Sequence, residues 1–153
     1  MNYLYFDSSA LVKRYAKEVG TELVENLCQK EVAIFISDIA LAELGAAFAR
    51  KLREGEITED EYTVMLGDFK DDYLYEYFKV SISFEVLNLA VSLAKKRALR
   101  GYDAVQLASA VKVKEAVMTG EHGAKITFIV ADKDLEEAAR TEGFVTINPN
   151  KLS

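Results

Sequence analysis

A single cysteine, Cys28, a single proline, Pro149, a single histidine, His122, and only 8 glycines punctuate the 153 residues. One thiol has no partner in the chain, which excludes an internal disulfide framework and a thiolate zinc site and leaves Cys28 as a packing residue. With so little glycine and proline, and no repeat or low-complexity run, nothing reads as a linker, and residues 1–153 are expected to form one domain. No stretch approaches the ~18 consecutive apolar residues of a membrane span. Residues 1–6 also lack the basic flank and cleavage site of a signal peptide. A soluble, cytoplasmic protein with no membrane partner is expected. His122, in the turn Gly120-Glu121-His122-Gly123, is read as a solvated loop residue without a catalytic or ligand role.

Basic charge is also in short supply. Against 25 acidic residues stand 19 basic ones, a net charge of −6. That sign disfavours a whole-surface grip on a polyanion. It is compatible with a nucleic-acid substrate only if divalent cations neutralise some of the acids and a few clustered bases make the contacts.

What is present in quantity is apolar: half of the residues are hydrophobic, enough for a proper core. Short runs rich in β-branched and aromatic residues recur at 3–6, 32–36, 79–82, 126–130 and 144–147, and read as five strands. Between them apolar residues fall at helical spacing, as in Leu41, Leu44, Ala47 and Phe48, then Val86, Leu89, Ala90 and Leu93, then Val105, Ala108 and Val111. Strands alternating with helices predict an α/β fold, a mainly parallel sheet covered on both faces, with ligands beyond the carboxyl ends of the strands. Residues 39–53 and 58–78 read as a helical hairpin across Glu54-Gly55-Glu56, the second helix opening on the N-cap signature Thr58-Glu59-Asp60-Glu61. Its aromatics, Tyr62, Phe69, Tyr73, Tyr75, Tyr77 and Phe78, exceed what one buried face needs and suggest a partner surface, with ordinary core packing as the alternative.

Four acids stand out by position. Asp7 directly follows the first strand, with Ser8-Ser9 expected to cap a helix over 10–16. Asp132 repeats the arrangement after the fourth strand, where Asp134 is read as the cap of a helix over 135–140, leaving Asp132 free. Glu43 lies about a turn into an apolar helical segment, where an unpaired buried charge costs several kcal/mol. Asp103 opens a helix over 104–118, a position that suits an acid electrostatically. Taken singly, Asp7, Asp103 and Asp132 are equally well read as turn or cap residues. Taken together, carboxylates converging on one crevice would repel unless a cation held them. Oxygen donors without His or Cys favour magnesium or manganese over zinc, and two such ions suit in-line phosphoryl displacement.

The segments Phe6-Asp7-Ser8-Ser9-Ala10-Leu11-Val12-Lys13, Ser37-Asp38-Ile39-Ala40-Leu41-Ala42-Glu43, Gly101-Tyr102-Asp103-Ala104-Val105-Gln106-Leu107-Ala108 and Val130-Ala131-Asp132-Lys133-Asp134-Leu135 resemble, in order and spacing, a PIN domain. The likeness spans essentially the whole chain and is greatest to the VapC toxins of toxin–antitoxin pairs. It implies a PIN-like three-layer fold and a Mg2+- or Mn2+-dependent ribonuclease, with Asp7, Glu43, Asp103 and Asp132 as catalytic metal ligands. It also implies an RNA substrate, a homodimer, and a small antitoxin lying along the helical hairpin. The family commonly carries a Ser or Thr two residues before the last acid; here Val130 stands there, and Ser8 is the hydroxyl expected to substitute. Candidate RNA contacts are Ser8, Lys13, Arg14 and Lys17, and Lys95, Lys96, Arg97 and Arg100, with a solvated helix face as the other reading of these charges.

Competing readings fit less well. A haloacid-dehalogenase phosphatase needs a second Asp where Ser9 stands, and a receiver domain needs an acidic pair near the first strand, whereas Asp71-Asp72 falls in the long helix. A catalytically silent PIN module is disfavoured by the presence of all four acids. A stand-alone PIN ribonuclease without an antitoxin fits the sequence as well as a toxin does.

Overall fold

The computed structural model describes residues 2–120 and 124–151, so His122 lies outside the described residues. Its first strand, β1 (Asn2–Phe6), alternates its side chains between two buried faces. Leu4 and Phe6 enter one apolar cluster, and Tyr5 enters the other. The same alternation sends Ile34 and Ile36 of β2 (Val32–Ser37) one way and Phe35 the other. A strand buried on both faces has to sit inside a sheet with helices on each side.

The remaining strands are β3 (Phe78–Val80), β4 (Ile126–Ile129) and β5 (Val145–Ile147), and the five-stranded sheet has the order β3-β2-β1-β4-β5. Every pair is parallel: Tyr5 is opposite Phe35 and Phe128, Ser37 opposite Val80, and Ile129 opposite Ile147. One face carries α1 (Ser8–Tyr15), α2 (Thr21–Gln29), α3 (Ile39–Arg53) and α4 (Glu59–Tyr75), whose Leu11, Val24, Leu44, Phe48 and Phe69 pack under the sheet. The other carries α5 (Phe84–Lys96), α6 (Gly101–Gly120) and α7 (Lys133–Thr141). Helix α6 is buried almost all round from Ala104 to Ala110, because α5 and α7 cover the side the sheet does not. This is the three-layer α/β arrangement expected from the alternating pattern.

From β1 the chain moves outward to β2 and β3, then returns to the far side for β4 and β5. The direction of winding therefore reverses between β1 and β4, which opens a crevice beyond their carboxyl ends. Asp7 and Asp132 follow those two strands.

Several local expectations need correction. Asp7 itself is the N-cap of α1, which begins at Ser8, and Asp132 is the N-cap of α7, which begins at Lys133; Asp134 sits in the first turn instead. Helix α2, which apolar spacing did not single out, follows Gly20, whose φ of 90° and close approach to the Pro149 carbonyl leave no room for a side chain. Strand β3 starts at Phe78, and α4 ends at Tyr75. The aromatic excess on α4 is mostly core: Phe69 and Tyr77 are buried, Tyr62 and Tyr73 pack against the same cluster, and of the six only Tyr75 and Phe78 are exposed. The capping box at Thr58 is present, with Thr58 N donating to Glu61 (2.9 Å) and Glu61 N to Thr58 Oγ1 (3.1 Å).

Candidate active site

Asp7 is held from three sides. Its backbone N donates to Ile129 O at 2.9 Å, extending the β1–β4 ladder past the end of the strand. Its Oδ2 accepts from Ser9 N (3.1 Å) and from Ser9 Oγ (2.5 Å). Ser9 Oγ in turn accepts from the backbone N of Ala131 (3.0 Å) and of Asp132 (3.2 Å), so one hydroxyl clips the start of α1 to the β4–α7 turn. The hydroxyl missing at Val130 is thus not replaced by Ser8 at this turn; Ser9 supports it. Asp7 is only 4% exposed, and burial, followed by repulsion from Glu43 and Asp103, pushes its carboxyl from 3.8 up to about 7 against the stabilising bonds from Ser9.

Glu43, half-buried on α3, gives Oε1 to two donors: Ser8 Oγ at 2.9 Å and Gln106 Nε2 at 2.7 Å. Gln106 is fully buried on α6, and its amide is oriented by Tyr5, whose hydroxyl donates to Gln106 Oε1 at 2.7 Å. With Oε1 facing Tyr5, the amide nitrogen faces Glu43 and Ser8, the latter at 3.1 Å. A carboxylate inside an apolar helix is thus explained by a polar chain running from the central strand. Glu43 Oε2 accepts no hydrogen bond among the described residues.

Asp103, in the first turn of α6, is half-buried, and its side chain accepts no hydrogen bond among the described residues. Burial, then repulsion from Asp132 and Glu43, raises it to about 6, opposed by Arg100. Asp132 is exposed, and its Oδ1 accepts from Leu135 N at 2.9 Å as the cap of α7, while Oδ2 has no hydrogen-bond partner among the described residues.

All four acids line one cleft of about 920 Å³ that also takes in Ser8, Ser9, Lys13 and Tyr102. None of the four forms an ion pair among the described residues, and no His or Cys lines the cleft. The donor set is therefore oxygen only and negatively charged, which fits a hard divalent cation. The side chains are spread along the cleft, and among the described residues no three His, Cys, Asp or Glu groups form a ready-made ligand cage.

The basic candidates divide. Ser8 and Lys13 line the cleft, although Lys13 is 5% exposed and ion-paired with Glu18 at 3.0 Å. Arg100 is exposed and donates to Tyr102 Oη (2.7 Å) at the rim. Arg14 points away, into a network under α4 with Tyr77 Oη (2.7 Å), Glu76 (3.1 Å) and Asp72 (3.7 Å), and Tyr15 bonds Asp72 and Tyr77 beside it. Arg97 is tied to Glu142 at 2.5 Å. Neither Arg14 nor Arg97 lines the cleft, and Lys17, Lys95 and Lys96 also lie outside it. Instead Arg50, Lys51 and Arg53, from the C-terminal half of α3, complete its wall. These three, with Gln106 and Ser9, are the residues that sequence reasoning missed. The α3 cations were detectable at the spacings i+7, i+8 and i+10 from Glu43; the partners of Ser9 and Gln106 lie too far along the chain for any local signal.

The PIN domain family model matches residues 4–141. "Ribonuclease VapC45" of Mycobacterium tuberculosis is 34% identical over 143 residues, 94% of this chain and 93% of the relative. Among solved structures, FitAcB from Neisseria gonorrhoeae superimposes with a TM-score of 0.68 at 15% identity, covering 97% of this chain and 99% of the other. A toxin–antitoxin complex from Klebsiella pneumoniae gives 0.61 at 16% identity, covering 97% and 99%. No helix among the described residues is long and apolar enough to cross a membrane. With the family model matching four of the five strands and all four acids, and a relative aligned along nearly its whole length, this chain belongs to the PIN-domain family.

Proposed function

We propose that the protein is a metal-dependent endoribonuclease, the toxin of a toxin–antitoxin pair, which hydrolyses RNA phosphodiesters in the cleft lined by Asp7, Glu43, Asp103 and Asp132. The observation that carries this reading is the sharing of one cleft by these four carboxylates, drawn from separate segments of the chain and without ion pairs. The ribonuclease name of the Mycobacterium relative supports the substrate class, and the Klebsiella complex supports an antitoxin partner. The reading takes residues 1–153 as one catalytic domain, acting in the cytoplasm with its RNA.

Asp7, Glu43, Asp103 and Asp132 are the groups that would hold Mg2+ or Mn2+. Such a cation supplies a nucleophile at neutral pH and offsets charge on the phosphate. The chain supplies position. Ser9 and the strand ladder fix Asp7, Gln106 and Ser8 fix one oxygen of Glu43, and the α7 cap fixes one oxygen of Asp132. In each of the last two cases the second oxygen is left for a ligand. Asp103 has no hydrogen-bond or ion-pair partner for its side chain among the described residues, so both its oxygens would be available to a cation. Tyr102 lies at the mouth, 43% exposed, where a base can stack on its ring.

The test is cleavage of mixed RNA by the purified protein with Mg2+, with Mn2+ and with chelator. Cleavage is expected with either ion and not with chelator. Asp7→Asn and Asp103→Asn, which keep shape and remove charge, are expected to lower it at least 100-fold while the circular dichroism spectrum is retained. Undiminished cleavage by either variant contradicts the assignment.

A further inference from the structure

The α3 face beyond Glu43 has a role of its own. Ala46, Ala47 and Arg50 follow Glu43 at i+3, i+4 and i+7, and all of them line the cleft. Small side chains keep this stretch of wall low, and an arginine stands at its end. Arg50 and Arg53 are exposed and make no ion pair or side-chain hydrogen bond among the described residues. The other cations of the cleft are already spent: Lys13 and Lys51 both pair with Glu18 (3.0 and 3.2 Å), and Lys51 also with Glu56 (3.3 Å). In a chain of net charge −6, free cations that face the same cleft as the acidic cluster are the local basic feature a polyanion needs.

We propose, resting on the ribonuclease reading, that Arg50 and Arg53 form a phosphate subsite of the substrate-binding path, gripping a backbone phosphate of single-stranded RNA away from the scissile one. Seven residues of helix separate Glu43 from Arg50 by about 10 Å. A group bound at the carboxylates cannot also reach that far, so the arginines engage a neighbouring phosphate of the same strand. The guanidinium forks suit phosphate oxygens in pairs. The strand then runs along α3, over Ala46 and Ala47, with the acids at one end and the arginines at the other. The subsite governs affinity and the minimum RNA length, not base identity, because phosphate contacts carry no sequence.

A structural role for these arginines, as cations at the C-terminal end of α3, predicts a change in stability and none in RNA affinity. The test therefore measures binding of a short fluorescein-labelled single-stranded RNA in chelator, across a salt series, for the parent and for Arg50→Ala/Arg53→Ala. The variant is expected to bind roughly tenfold more weakly, and the slope of log affinity against log salt to fall by about 1.4 if both arginines lose a phosphate contact. In cleavage assays with Mn2+, KM is expected to rise by a similar factor, with kcat changing less than about twofold. Lys95→Ala/Lys96→Ala removes the same charge from α5, outside the cleft, and is expected to bind RNA within about twofold of the parent. If both pairs lose affinity equally, the effect is one of net charge and the subsite is overturned. An unchanged salt slope in the α3 variant overturns it as well and leaves that face to a protein partner. If the parent itself cuts no RNA with either ion, it is the ribonuclease reading that fails.

Discussion

Asp7 meets two opposing demands. The Ser9 bonds and the strand ladder make it an effective helix cap, yet burial beside Glu43 and Asp103 makes its charge costly. A folded-state value raised from 3.8 to about 7 means that, between those two values, the native protein holds a proton the unfolded chain has released. Stability of the metal-free protein is then highest at low pH with respect to this group, and is lost as pH rises toward 7. Asp7→Asn keeps the cap, since Asn serves there as well as Asp. It is expected to stabilise the chelated protein at pH 8 by on the order of 1–3 kcal/mol, with the difference vanishing near pH 4. Saturating Mn2+ reverses the order, because only the parent gains binding energy. Urea unfolding at both pH values, with and without Mn2+, checks each sign. Gln106 offers the converse case. Gln106→Leu strips a donor from half-buried Glu43 and an acceptor from buried Tyr5, and is expected to cost about 2–4 kcal/mol of stability and to weaken Mn2+ binding severalfold by calorimetry. Tyr5→Phe, which leaves Gln106 in place but free to flip, should show the same loss of affinity in smaller measure. Unaltered Mn2+ affinity in both variants would limit Gln106 to a packing role. The acids themselves were legible because Asp7, Asp103 and Asp132 stand beside a strand end or a helix start and Glu43 interrupts an apolar helical segment. Gln106 and Ser9 were not, because what gives them meaning is a contact to a residue 63 or more than 120 positions away.

At the scale of elements, patterns with local causes read correctly. The strands showed through their β-branched and aromatic runs, and α4 through a capping box that satisfies its own backbone. Choices between near neighbours did not. Asp132 and Asp134 are both good caps, and α7 starts at Lys133 because Ser9 holds the backbone of Ala131 and Asp132 from across the cleft, a tertiary bond that decides where the helix can begin. This gives Asp132 separable roles. Asp132→Ala loses both cap and charge, and is expected to lower stability by about 1 kcal/mol as well as activity. Asp132→Asn keeps the cap and is expected to retain stability within about 0.5 kcal/mol while losing most RNA cleavage. Equal stability loss in the two variants, measured by thermal unfolding, would show that the charge rather than the cap supports α7.

For the whole molecule, alternation of strands and helices was enough to foresee a covered parallel sheet, and the winding reversal between β1 and β4 explains why acids remote in sequence line one cleft. Which surfaces would stay open was not legible, since an aromatic on α4 looks the same whether it meets the core or a partner. Val64, Leu74 and Tyr75 stay exposed on α4, and a second exposed apolar surface lies at the β3 edge and α5. Phe78, Ile82, Phe84, Leu87 and Val91 are all exposed there, Phe84 by 81% and Val91 by 69%. Phe84, Leu87 and Val91 share one face of α5 by their spacing. We propose this surface for the self-association expected from the family likeness. Sedimentation should give a dimer for the parent and a monomer for Phe84→Asp/Val91→Asp; a monomeric parent at tens of micromolar would remove the expectation. The central claim, that the four carboxylates of the cleft hold a hard cation, has a direct calorimetric signature. If Asp7 and Asp103 are ligands, each must give up any proton it carries before it can bind. Mn2+ titrated into the protein at pH 6, in buffers of different ionisation enthalpy, is predicted to release roughly one to one and a half protons per protein, and to release none from Asp7→Asn/Asp103→Asn. Mn2+ binding without proton release, or no binding at all, would contradict the account.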